Sequence, residues 1–510
     1  MAIPYRLFHE YLDSHAREFQ SKVAIDCGGD TVTYGALAAN SHKAAAVLQG
    51  VGLRAGDRVV YLGRSSIAFF ELLYASTRLG LCFVSLNWRL TAREIADQLD
   101  DSAPGIIFAD QAFVAGVEST KHKAVPLVCL DEAGTYAAWR DADVPAANYG
   151  DIDPGAPALM MYTSGTTGRA KGVAVSQQAI LASRETPEVD GPWNAWHAED
   201  VQMVPTPLFH IAGCGWALIG LYYGMTIVVL RDFIPAEVIS TIAEKRITRT
   251  IFVPAMLAFL LKEPSLASTD LSSLKYLSYG ASPMPAPLLK ASMAAFPDAG
   301  FVQLYGMTET CGYATALPPE DHGAAHEYRR ASVGRAFHNV ELSIRDRDGN
   351  ALPIGEFGEV WIKTPSVMNE YWRNDEASAE VLRDGWYVTG DGGYLDQDGY
   401  LYLKDRIKDM IITGGENVFP SEVEAVFARH PAVAEVSVFG VAHDVWGEQV
   451  QAAVVLRAGQ TATADDLIAH AEADLAGYKM PRAVHILEAL PRNSTGKVLK
   501  RALRDEFEAV

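Results

Sequence analysis

A short polar segment of the chain carries the residue types that bind polyphosphates. Residues 162–172 read YTSGTTGRAKG, so glycines, hydroxyl side chains and a lysine stand close together. Glycines let backbone N–H groups approach an anion, and Lys171 adds a positive charge. We therefore predict a triphosphate-binding loop, with a polar surface turn as the alternative. The expected phosphate contacts are Thr163, Ser164, Gly165, Thr166, Thr167, Gly168 and Lys171.

The spacing of this loop separates it from other phosphate-binding motifs. A Walker A loop places lysine directly after its second glycine and follows it with Ser or Thr. Here Lys171 follows Gly168 by three positions and is itself followed by Gly172. Apolar residues at 158–161 and 173–175 flank the loop, which indicates strands that lead into and out of a structured turn.

Size and composition restrict the classes of protein that the chain can belong to. With 510 residues, 49% of them hydrophobic, the chain is long enough for two or more domains. Its net charge of -20 argues against nucleic acid or an anionic membrane as a general partner. Five cysteines without a CxxC pair favour reduced thiols and no structural metal.

The amino terminus and the longest uncharged stretch indicate whether the protein is exported or crosses a membrane. Residues 1–10 lack the apolar core of a signal peptide. Residues 208–230 carry no formal charge, but glycines interrupt them and a β-branched run ends them. A buried helix followed by a strand explains this stretch better than a membrane span does. We expect a cytoplasmic protein without a transmembrane segment.

The first 400 or so residues predict an α/β fold with parallel or mixed sheets covered by helices. Short β-branched runs alternate there with helical patterns such as residues 68–79. Ligand sites of such sheets lie at the carboxyl ends of strands, where the loop at 162–172 would also lie. The strand candidates are residues 58–62, 105–108, 125–130, 226–230, 249–253, 276–279 and 302–305.

A smaller α+β domain is predicted after residue 403. Residues 394–402 have the pattern of a hairpin, and the charged segment 404–409 follows at once. We therefore predict an N-terminal domain over 1–403, a hinge at 404–409 and a mobile C-terminal domain over 410–510. Within that domain, Ser421 and Glu424 match a capping box, residues 435–441 and 450–457 match strands, and a helix is expected from Thr463.

Seven segments in order along the chain resemble the signature motifs of adenylate-forming enzymes, and most closely those of acyl-CoA synthetases of the fatty-acid type. In that family a carboxylate attacks the α-phosphate of ATP, pyrophosphate leaves, and the thiol of CoA then displaces AMP. The segments are YTSGTTGRAKG (162–172), PLFHIAG (207–213), YGASP (279–283), YGMTE (305–309), YVTGD (387–391), KDRIKDMIITGGENVFPSEVE (404–424) and PRNSTGK (491–497).

The resemblance implies roles for residues that bind ATP and Mg²⁺. Glu309, with Thr163, would hold Mg²⁺, because hard cations prefer oxygen ligands. Tyr305 would offer its ring to adenine, and Asp391 and Arg406 would bind ribose or phosphate oxygens. Besides the phosphate loop, the implied ATP- and AMP-binding residues are Gly280, Ala281, Ser282, Gln303, Leu304, Tyr305, Gly306, Thr308, Asp391, Arg406 and Lys497.

Catalysis and CoA binding are implied for lysines and glycines near the carboxyl terminus. Lys497 would stabilise the charge that develops on the α-phosphate, an effect worth about 10²- to 10³-fold for one well-placed donor. Residues 479–504 are rich in Lys and Arg, which suits phosphates in an acidic protein. Lys408 would be the hinge between domains. Gly414, Gly415 and Trp446 would contact CoA, although a lone tryptophan is equally expected in a core.

The substrate acid is the least specified part of this interpretation. The resemblance places His210, Gly213, Cys214, Gly215, Trp216 and Met307 around an apolar acyl pocket, with His210 either catalytic or an ordinary core histidine. Gly213 and Gly215 are expected to leave room for the substrate, and no Asp is present at 210–216 to pair with an amino acid.

We expect a ligase for a medium- or long-chain fatty acid that uses ATP, Mg²⁺ and CoA. An aryl or cyclic acid is the alternative, and an adenylate-binding protein without turnover is the alternative of another class. A homodimer is a further expectation.

Overall fold

The computed structural model describes residues 5–132, 134–163, 170–184, 190–472, 474–492 and 498–507. The chain forms two compact units. The first comprises Met1–Leu342 and Ile362–Tyr387, and the second Ser343–Trp361 and Val388–Val510. None of the helices in the described ranges is both long enough and apolar enough to span a bilayer.

The first unit is built on two sheets whose inner strands are mainly parallel. Parallel strands are buried on both faces, so they read as apolar runs such as RVVYL at 58–62 and IIFA at 106–109. The strands are β1 Val23–Cys27, β2 Asp30–Thr33, β3 Arg58–Leu62, β4 Cys82–Ser85, β5 Ile106–Ala109, β6 Leu127–Cys129, β7 Pro157–Thr163, β8 Lys171–Ser176, β9 Val201–Val204, β10 Thr226–Val229, β11 Arg249–Phe252, β12 Tyr276–Gly280, β13 Gly300–Met307, β14 Gly312–Leu317, β15 Arg335–Ala336 and, after two strands given below, β18 Glu370–Tyr371. A further strand, β19 Leu382–Arg383, lies outside these two sheets and pairs with Trp386 and Tyr387.

These strands are arranged so that the predicted phosphate loop and the predicted adenine site lie on different sheets. One sheet has the order β15-β14-β13-β12-β11-β9-β10-β1-β2, and the other has the order β18-β8-β7-β4-β3-β5-β6. In the first, β12 and β13 are parallel neighbours; in the second, β7 and β8 form an antiparallel hairpin at the end of the phosphate loop.

Helices cover these sheets, and local sequence fixes where several of them begin. Thr91 and Glu94 form a capping box at the start of α4, and the Thr33 hydroxyl caps α2. The helices are α1 Glu10–Glu18, α2 Tyr34–Gly50, α3 Ile67–Arg78, α4 Ala92–Ser102, α5 Gln111–Glu118, α6 Thr135–Arg140, α7 Gln177–Ala182, α8 Ile211–Tyr222, α9 Pro235–Glu244, α10 Pro254–Leu260, α11 Ala286–Ala295 and α12 Asp375–Val381.

The second unit carries two smaller sheets. One contains β16, β17, β20 and β21 side by side, and the other has the order β23-β22-β25-β24 with β26 parallel to β25. Ile411, Val423, Phe427 and Val450 belong to the core of the latter. The elements are β16 Glu341–Arg345, β17 Gly358–Lys363, β20 Trp386–Leu395, β21 Leu401–Arg406, β22 Ile411–Thr413, β23 Glu416–Val418, β24 Val433–His443, β25 Gly447–Leu456, β26 Ala483–Leu487, α13 Pro420–Phe427, α14 Ala464–Ala471 and α15 Lys500–Phe507.

The predicted fold class is confirmed. Strands cover all seven predicted segments with small shifts at their ends, and residues 208–230 form the buried helix α8 followed by β10. The hairpin at 394–402 is confirmed as β20 and β21, joined by a turn in which Asp396 accepts the amides of Asp398 and Tyr400. The hinge at 404–409 stays a prediction.

The predicted capping box at the start of α13 is wrong. Pro420 is the first residue of that helix and Phe419 precedes it, so Ser421 already lies inside the first turn. The Ser421 hydroxyl donates to the Lys404 carbonyl oxygen, and Glu424 accepts the amide of Val438. Proline at the first helical position has a suitable φ and no amide to satisfy, so the helix begins without a side-chain cap.

Candidate active site

The strands on either side of the predicted phosphate loop hold its two ends together. β7 ends at Thr163 and β8 begins at Lys171, and these two residues are directly paired. The Tyr162 hydroxyl donates to Asp101 at 2.7 Å, which ties the hairpin to α4. The predicted contacts Ser164, Gly165, Thr166, Thr167 and Gly168 lie outside the described residues.

The structure joins Lys171 to Glu309 through Tyr371, a residue that the sequence analysis does not single out. The Lys171 ammonium lies 4.7 Å from the centre of the Tyr371 ring, and the Tyr371 hydroxyl donates to Glu309 Oε1 at 2.9 Å. A cation over an aromatic face is attracted by the ring, and a hydrogen bond to a carboxylate is stronger than one between neutral groups. Two predicted phosphate- and metal-binding residues therefore belong to one cluster.

Strand pairing explains how Tyr371 reaches this place. The two-residue strand β18 pairs with β8, with Tyr371 opposite Val173. Glu309 lies in the short 3-10 helix Thr308–Thr310 that follows β13, and its carbonyl oxygen accepts the amide of Met368 at 2.8 Å. Both side chains are buried, which keeps the phenol and the carboxylate in a fixed arrangement.

Glu309 fits the donor chemistry that Mg²⁺ requires. A carboxylate has about four lone-pair directions, so it can accept from Tyr371 and also coordinate a cation. Within the described residues there is no group of three or more His, Cys, Asp or Glu side chains able to hold a metal. The usual Mg²⁺ site combines one or two carboxylates with substrate phosphates and water, so one carboxylate such as that of Glu309 is a sufficient protein ligand.

The predicted adenine-binding residues come together at the carboxyl ends of β12 and β13. Gly280 pairs with Leu304 across these strands, and a Cβ on Gly280 would lie 2.1 Å from the Leu304 carbonyl oxygen. Ala281 then adopts φ of 64° and turns the chain. Ala281 and Ser282 are exposed in this turn. The neighbouring strand β13 carries Gln303, Leu304, Tyr305 and Gly306, and Thr308 follows it directly.

The predicted acyl segment forms the amino-terminal half of α8. His210 caps the helix through Nδ1, which accepts the Ala212 amide, and burial lowers the pKa of its imidazole. Cys214 is buried, and this burial raises the pKa of its thiol to about 12. The Trp216 indole donates to the Met203 carbonyl oxygen at 3.0 Å. Met307 lies at the end of β13.

The expectation that Gly213 leaves room for substrate is wrong. A Cβ at that position would lie 2.1 Å from the Pro207 carbonyl oxygen and 2.6 Å from that of Thr206. The glycine is needed because the preceding backbone packs against the helix, so protein atoms occupy the space. At Gly215 the nearest atoms to an added Cβ belong to side chains, Ile211 at 3.4 Å and Arg184 at 3.6 Å.

A small cavity of about 20 Å³, which is room for about one water molecule, lies between α8 and one face of the nine-stranded sheet. Trp216 and Ile219 contribute from α8, and alternate residues of β12 and β13 contribute from the sheet. Among its lining residues is Arg249, whose guanidinium is bound by Asp200. Six aromatic side chains line the cavity: Trp193, Trp196, Trp216, Tyr276, Tyr313 and Phe337.

In the second unit, Asp391 and Arg406, the two residues predicted to bind ribose or phosphate, form an ion pair. Arg406 Nε lies 2.8 Å from Asp391 Oδ1, and Arg406 also donates to the Thr389 carbonyl oxygen. The Thr389 hydroxyl accepts the Asp391 amide. Both residues lie on the paired strands β20 and β21, so the ion pair has a fixed position within this unit.

The residues predicted to bind CoA also meet within the second unit. The Gly414 amide donates to the Trp446 carbonyl oxygen at 2.8 Å, and a Cβ on Gly414 would lie 3.0 Å from the Trp446 ring. Gly414 and Gly415 have φ of 60° and 86°, which favours glycine at both. Trp446 is 53% exposed, so its alternative role as a core residue is excluded. Lys408 lies in a 3-10 turn, Ile407–Asp409.

Lys497 lies outside the described residues, but the basic segment around it does not form a uniformly positive surface. Within the second unit, four of its cations are engaged by carboxylates. These pairs are Lys479 with Glu422, Arg492 with Glu435, Lys500 with Glu424, and Arg504 with Asp409. The composition of residues 479–504 therefore overstates the positive charge that is available to phosphates.

Comparison with known proteins gives two family matches. Residues 12–372 match the sequence model of the AMP-binding enzymes, and residues 422–497 match that of their C-terminal domain. A fatty acid–[acyl-carrier-protein] ligase of Streptomyces coeruleorubidus is 38% identical, with 98% of each chain covered. An indoleacetate–CoA ligase of Aromatoleum aromaticum is 35% identical, with 97% of each chain covered.

Solved structures agree with these sequence matches. The o-succinylbenzoate CoA synthetase of Bacillus subtilis, solved with its acyl-adenylate intermediate, superimposes with a TM-score of 0.87 at 32% identity, covering 97% of this chain and 98% of that one.

Proposed function

Because the chain belongs to the family of AMP-binding enzymes, we propose that it uses ATP and Mg²⁺ to adenylate a hydrophobic carboxylic acid and then transfers the acyl group to CoA. The membership confirms the expectation of an adenylate-forming enzyme. The observation that carries the proposal is the contact of Lys171 with Tyr371 and of Tyr371 with Glu309 beside the phosphate hairpin.

In the first step, a carboxylate oxygen of the acid attacks the α-phosphorus of ATP, and the bond to the bridging oxygen of pyrophosphate breaks. Lys171, at the start of β8, neutralises negative charge on the departing pyrophosphate. Mg²⁺, when bound, offsets phosphate charge, and Glu309 and Thr163 are the residues that would hold it. Lys497 is proposed to stabilise the charge on the α-phosphate.

In the second step, the thiolate of CoA attacks the acyl carbonyl carbon, and AMP leaves with the oxygen that came from the acid. The exposed ring of Trp446 beside Gly414 and Gly415 supports this surface as the place where the pantetheine arm binds. Asp391 is proposed to accept hydrogen bonds from the ribose hydroxyls while Arg406 holds its carboxylate. Lys408 is proposed as the hinge for a change between the two steps.

The acid itself has two candidate classes. Relatives act, by their names, on long-chain fatty acids, indoleacetate, ferulate and 2-succinylbenzoate. The sequence favours a medium- or long-chain fatty acid. The cavity beside α8 is lined by six aromatic side chains, but its volume of about 20 Å³ holds no more than about one water molecule, so it favours neither class.

The test measures acid-dependent exchange of labelled pyrophosphate into ATP. A panel would contain octanoate, palmitate, 3-phenylpropanoate and ferulate, and product thioesters would be followed separately with CoA. We expect exchange with at least one acid in wild-type protein and a loss of about 10²- to 10³-fold in Lys497→Ala. Exchange with no acid, or unchanged thioester formation in Lys497→Ala, would show that the proposal is wrong.

The acceptor and the setting of the reaction are also proposals. One relative is named for transfer to an acyl carrier protein, so CoA and a carrier protein would be compared as acceptors in the same assay. The cytoplasmic location and the homodimer stay predictions.

A further inference from the structure

A buried tryptophan lies in the path of any long chain that would run along α8 from the predicted acyl segment. Trp216 comes six residues after His210 and lies on this helix. It lines the cavity of about 20 Å³ between α8 and the nine-stranded sheet, which has room for about one water molecule. Val302 and Leu304 of β13 line the same cavity from the sheet. Protein atoms therefore fill nearly all of the space at this depth.

Hydrogen bonds hold Trp216 in this position. Its indole Nε1 donates to the Met203 carbonyl oxygen at 3.0 Å, and its own carbonyl oxygen accepts the side-chain amide of Gln202 at 2.7 Å. Both partners lie on β9. If the ring turned aside, a buried N–H would lose its acceptor, which is costly because buried polar groups are normally hydrogen-bonded. Trp216 is therefore a fixed part of the fold and not a movable gate.

A second layer of side chains supports Trp216. The Trp196 ring contacts it edge to face, at 5.4 Å between ring centres and 75° between ring planes. The Trp196 indole donates to Asn194 Oδ1, and the Arg249 guanidinium lies 4.4 Å from the centre of the Trp196 ring. Asp200 holds Arg249 in turn through a buried ion pair. A cation over an aromatic face is attracted most strongly where water is excluded, so displacing this wall would also disturb buried charges.

The position of Trp216 along α8 translates into a length of substrate. The resemblance places His210 beside the acid, and His210 caps the amino-terminal end of α8. At 1.5 Å per helical residue, the levels of His210 and Trp216 differ by about 9 Å. An extended chain advances about 3.5 Å for every three bonds, so about eight bonds cover that distance. An acid that enters beside His210 and follows α8 therefore meets Trp216 at about the eighth bond.

We propose that Trp216 sets the depth of the acyl site, so that the enzyme accepts acids that extend up to about eight bonds from the carboxylate and rejects longer ones. This inference rests on the proposed function and narrows the substrate class of the same site, for linear and aryl acids alike. Each methylene that is buried favours binding by about fourfold. Activity therefore increases with chain length until the wall is reached and decreases beyond it, because further carbons clash with a closely packed interior.

The test measures kcat/KM for acid-dependent pyrophosphate exchange with two pairs of acids. Octanoate is compared with dodecanoate, and 3-phenylpropanoate with 3-(4-hexylphenyl)propanoate, so that each pair keeps its class and changes its length. In whichever pair supports exchange, we expect wild-type protein to prefer the shorter acid by about tenfold or more, although burial of methylenes alone would favour the longer one. Equal or higher activity with the longer acid would overturn the inference.

Two variants test whether Trp216 is the wall. Trp216→Leu and Trp216→Ala shorten the side chain by different amounts, and the milder change keeps much of the apolar packing. Either variant should reduce the preference for the shorter acid by about tenfold, chiefly by lowering KM for the longer acid, because the added space accepts further methylenes. The ratio of two acids measured with one protein does not depend on the folded fraction, so loss of stability cannot mimic this change.

Trp361→Leu is the matched control, because it removes a buried tryptophan that belongs to the second unit. This control should keep the wild-type ratio. A ratio that neither Trp216 variant changes would overturn the inference, and so would a change of the same size in Trp361→Leu. Exchange with none of the four acids would refute the proposed function as well, whereas exchange that favours the longer acids would overturn the depth limit and leave the proposed function standing.

Discussion

Replacing Tyr371 with Phe tests whether the cluster at the phosphate hairpin positions Glu309. The substitution removes the hydroxyl that donates to Glu309 Oε1 at 2.9 Å and keeps the ring beside the Lys171 ammonium. A hydrogen bond to a charged group contributes about 1.5–3 kcal/mol. At about 1.4 kcal/mol per tenfold change in rate, its loss corresponds to about a 10- to 150-fold decrease in kcat/KM for adenylation.

The dependence on magnesium distinguishes positioning from a merely structural role. If Tyr371 orients the carboxylate that holds Mg²⁺, Tyr371→Phe should require more Mg²⁺ for half-maximal pyrophosphate exchange. Tyr149→Phe is a matched control, because its exposed hydroxyl bonds to His42 on the surface. Circular dichroism and the melting temperature would confirm that both variants are folded.

The proposed role of the Tyr371 hydroxyl would be refuted if Tyr371→Phe kept activity within about threefold of wild type. It would also be refuted if the loss were the same at every Mg²⁺ concentration, because the hydroxyl would then not act through the metal-binding carboxylate. Tyr371→Leu, which removes the ring as well, should lose more activity than Tyr371→Phe, since the contact with Lys171 is also lost.

Three further predictions concern stability and the second step. Burial lowers the pKa of His322 to about 4, whereas an unfolded histidine titrates near 6.5. As pH falls, the unfolded chain therefore binds this proton before the folded chain does. The free energy of unfolding decreases as pH drops from about 6.5 to about 4. His322→Gln should therefore reduce the slope of melting temperature against pH between 7 and 5. Gly213→Ala should lower stability by about 1–3 kcal/mol, because its Cβ meets the Pro207 carbonyl oxygen, while Gly215→Ala should cost less in a thermal melt. An equal loss in both variants would contradict this. Trp446→Ala should raise the KM for CoA about tenfold and leave pyrophosphate exchange unchanged, as expected for loss of one aromatic anchor; a parallel loss in exchange would exclude a role confined to CoA.

The parts of the site that the sequence predicts are those in which local chemistry decides the structure. The residues flanking the glycine-rich loop form the expected strands, and Gly280 is required by the close approach of Leu304 on the next strand. Such positions depend on neighbours in the chain or on one adjacent strand. Backbone conformation and hydrophobic pattern are then sufficient evidence.

The remaining features depend on contacts between distant parts of the chain. Tyr371 is 62 residues from Glu309, and the strand that brings it to β8 has only two residues, too few for any periodic pattern. A glycine such as Gly213 suggests space for a ligand, but here the backbone of Thr206 and Pro207 occupies that space.

The ion pairs of the second unit limit the positive charge with which this acidic protein can attract a highly charged nucleotide. A net charge of -20 opposes the approach of ATP, and carboxylates already engage four cations of the segment 479–504. Attraction must therefore come from individually positioned cations. Lys171 is such a cation, because its ammonium lies over the ring of Tyr371 and its side chain is therefore ordered before the nucleotide arrives. Ordering a long side chain in advance removes much of the entropy cost of binding, and selectivity for ATP then depends on geometry more than on total charge.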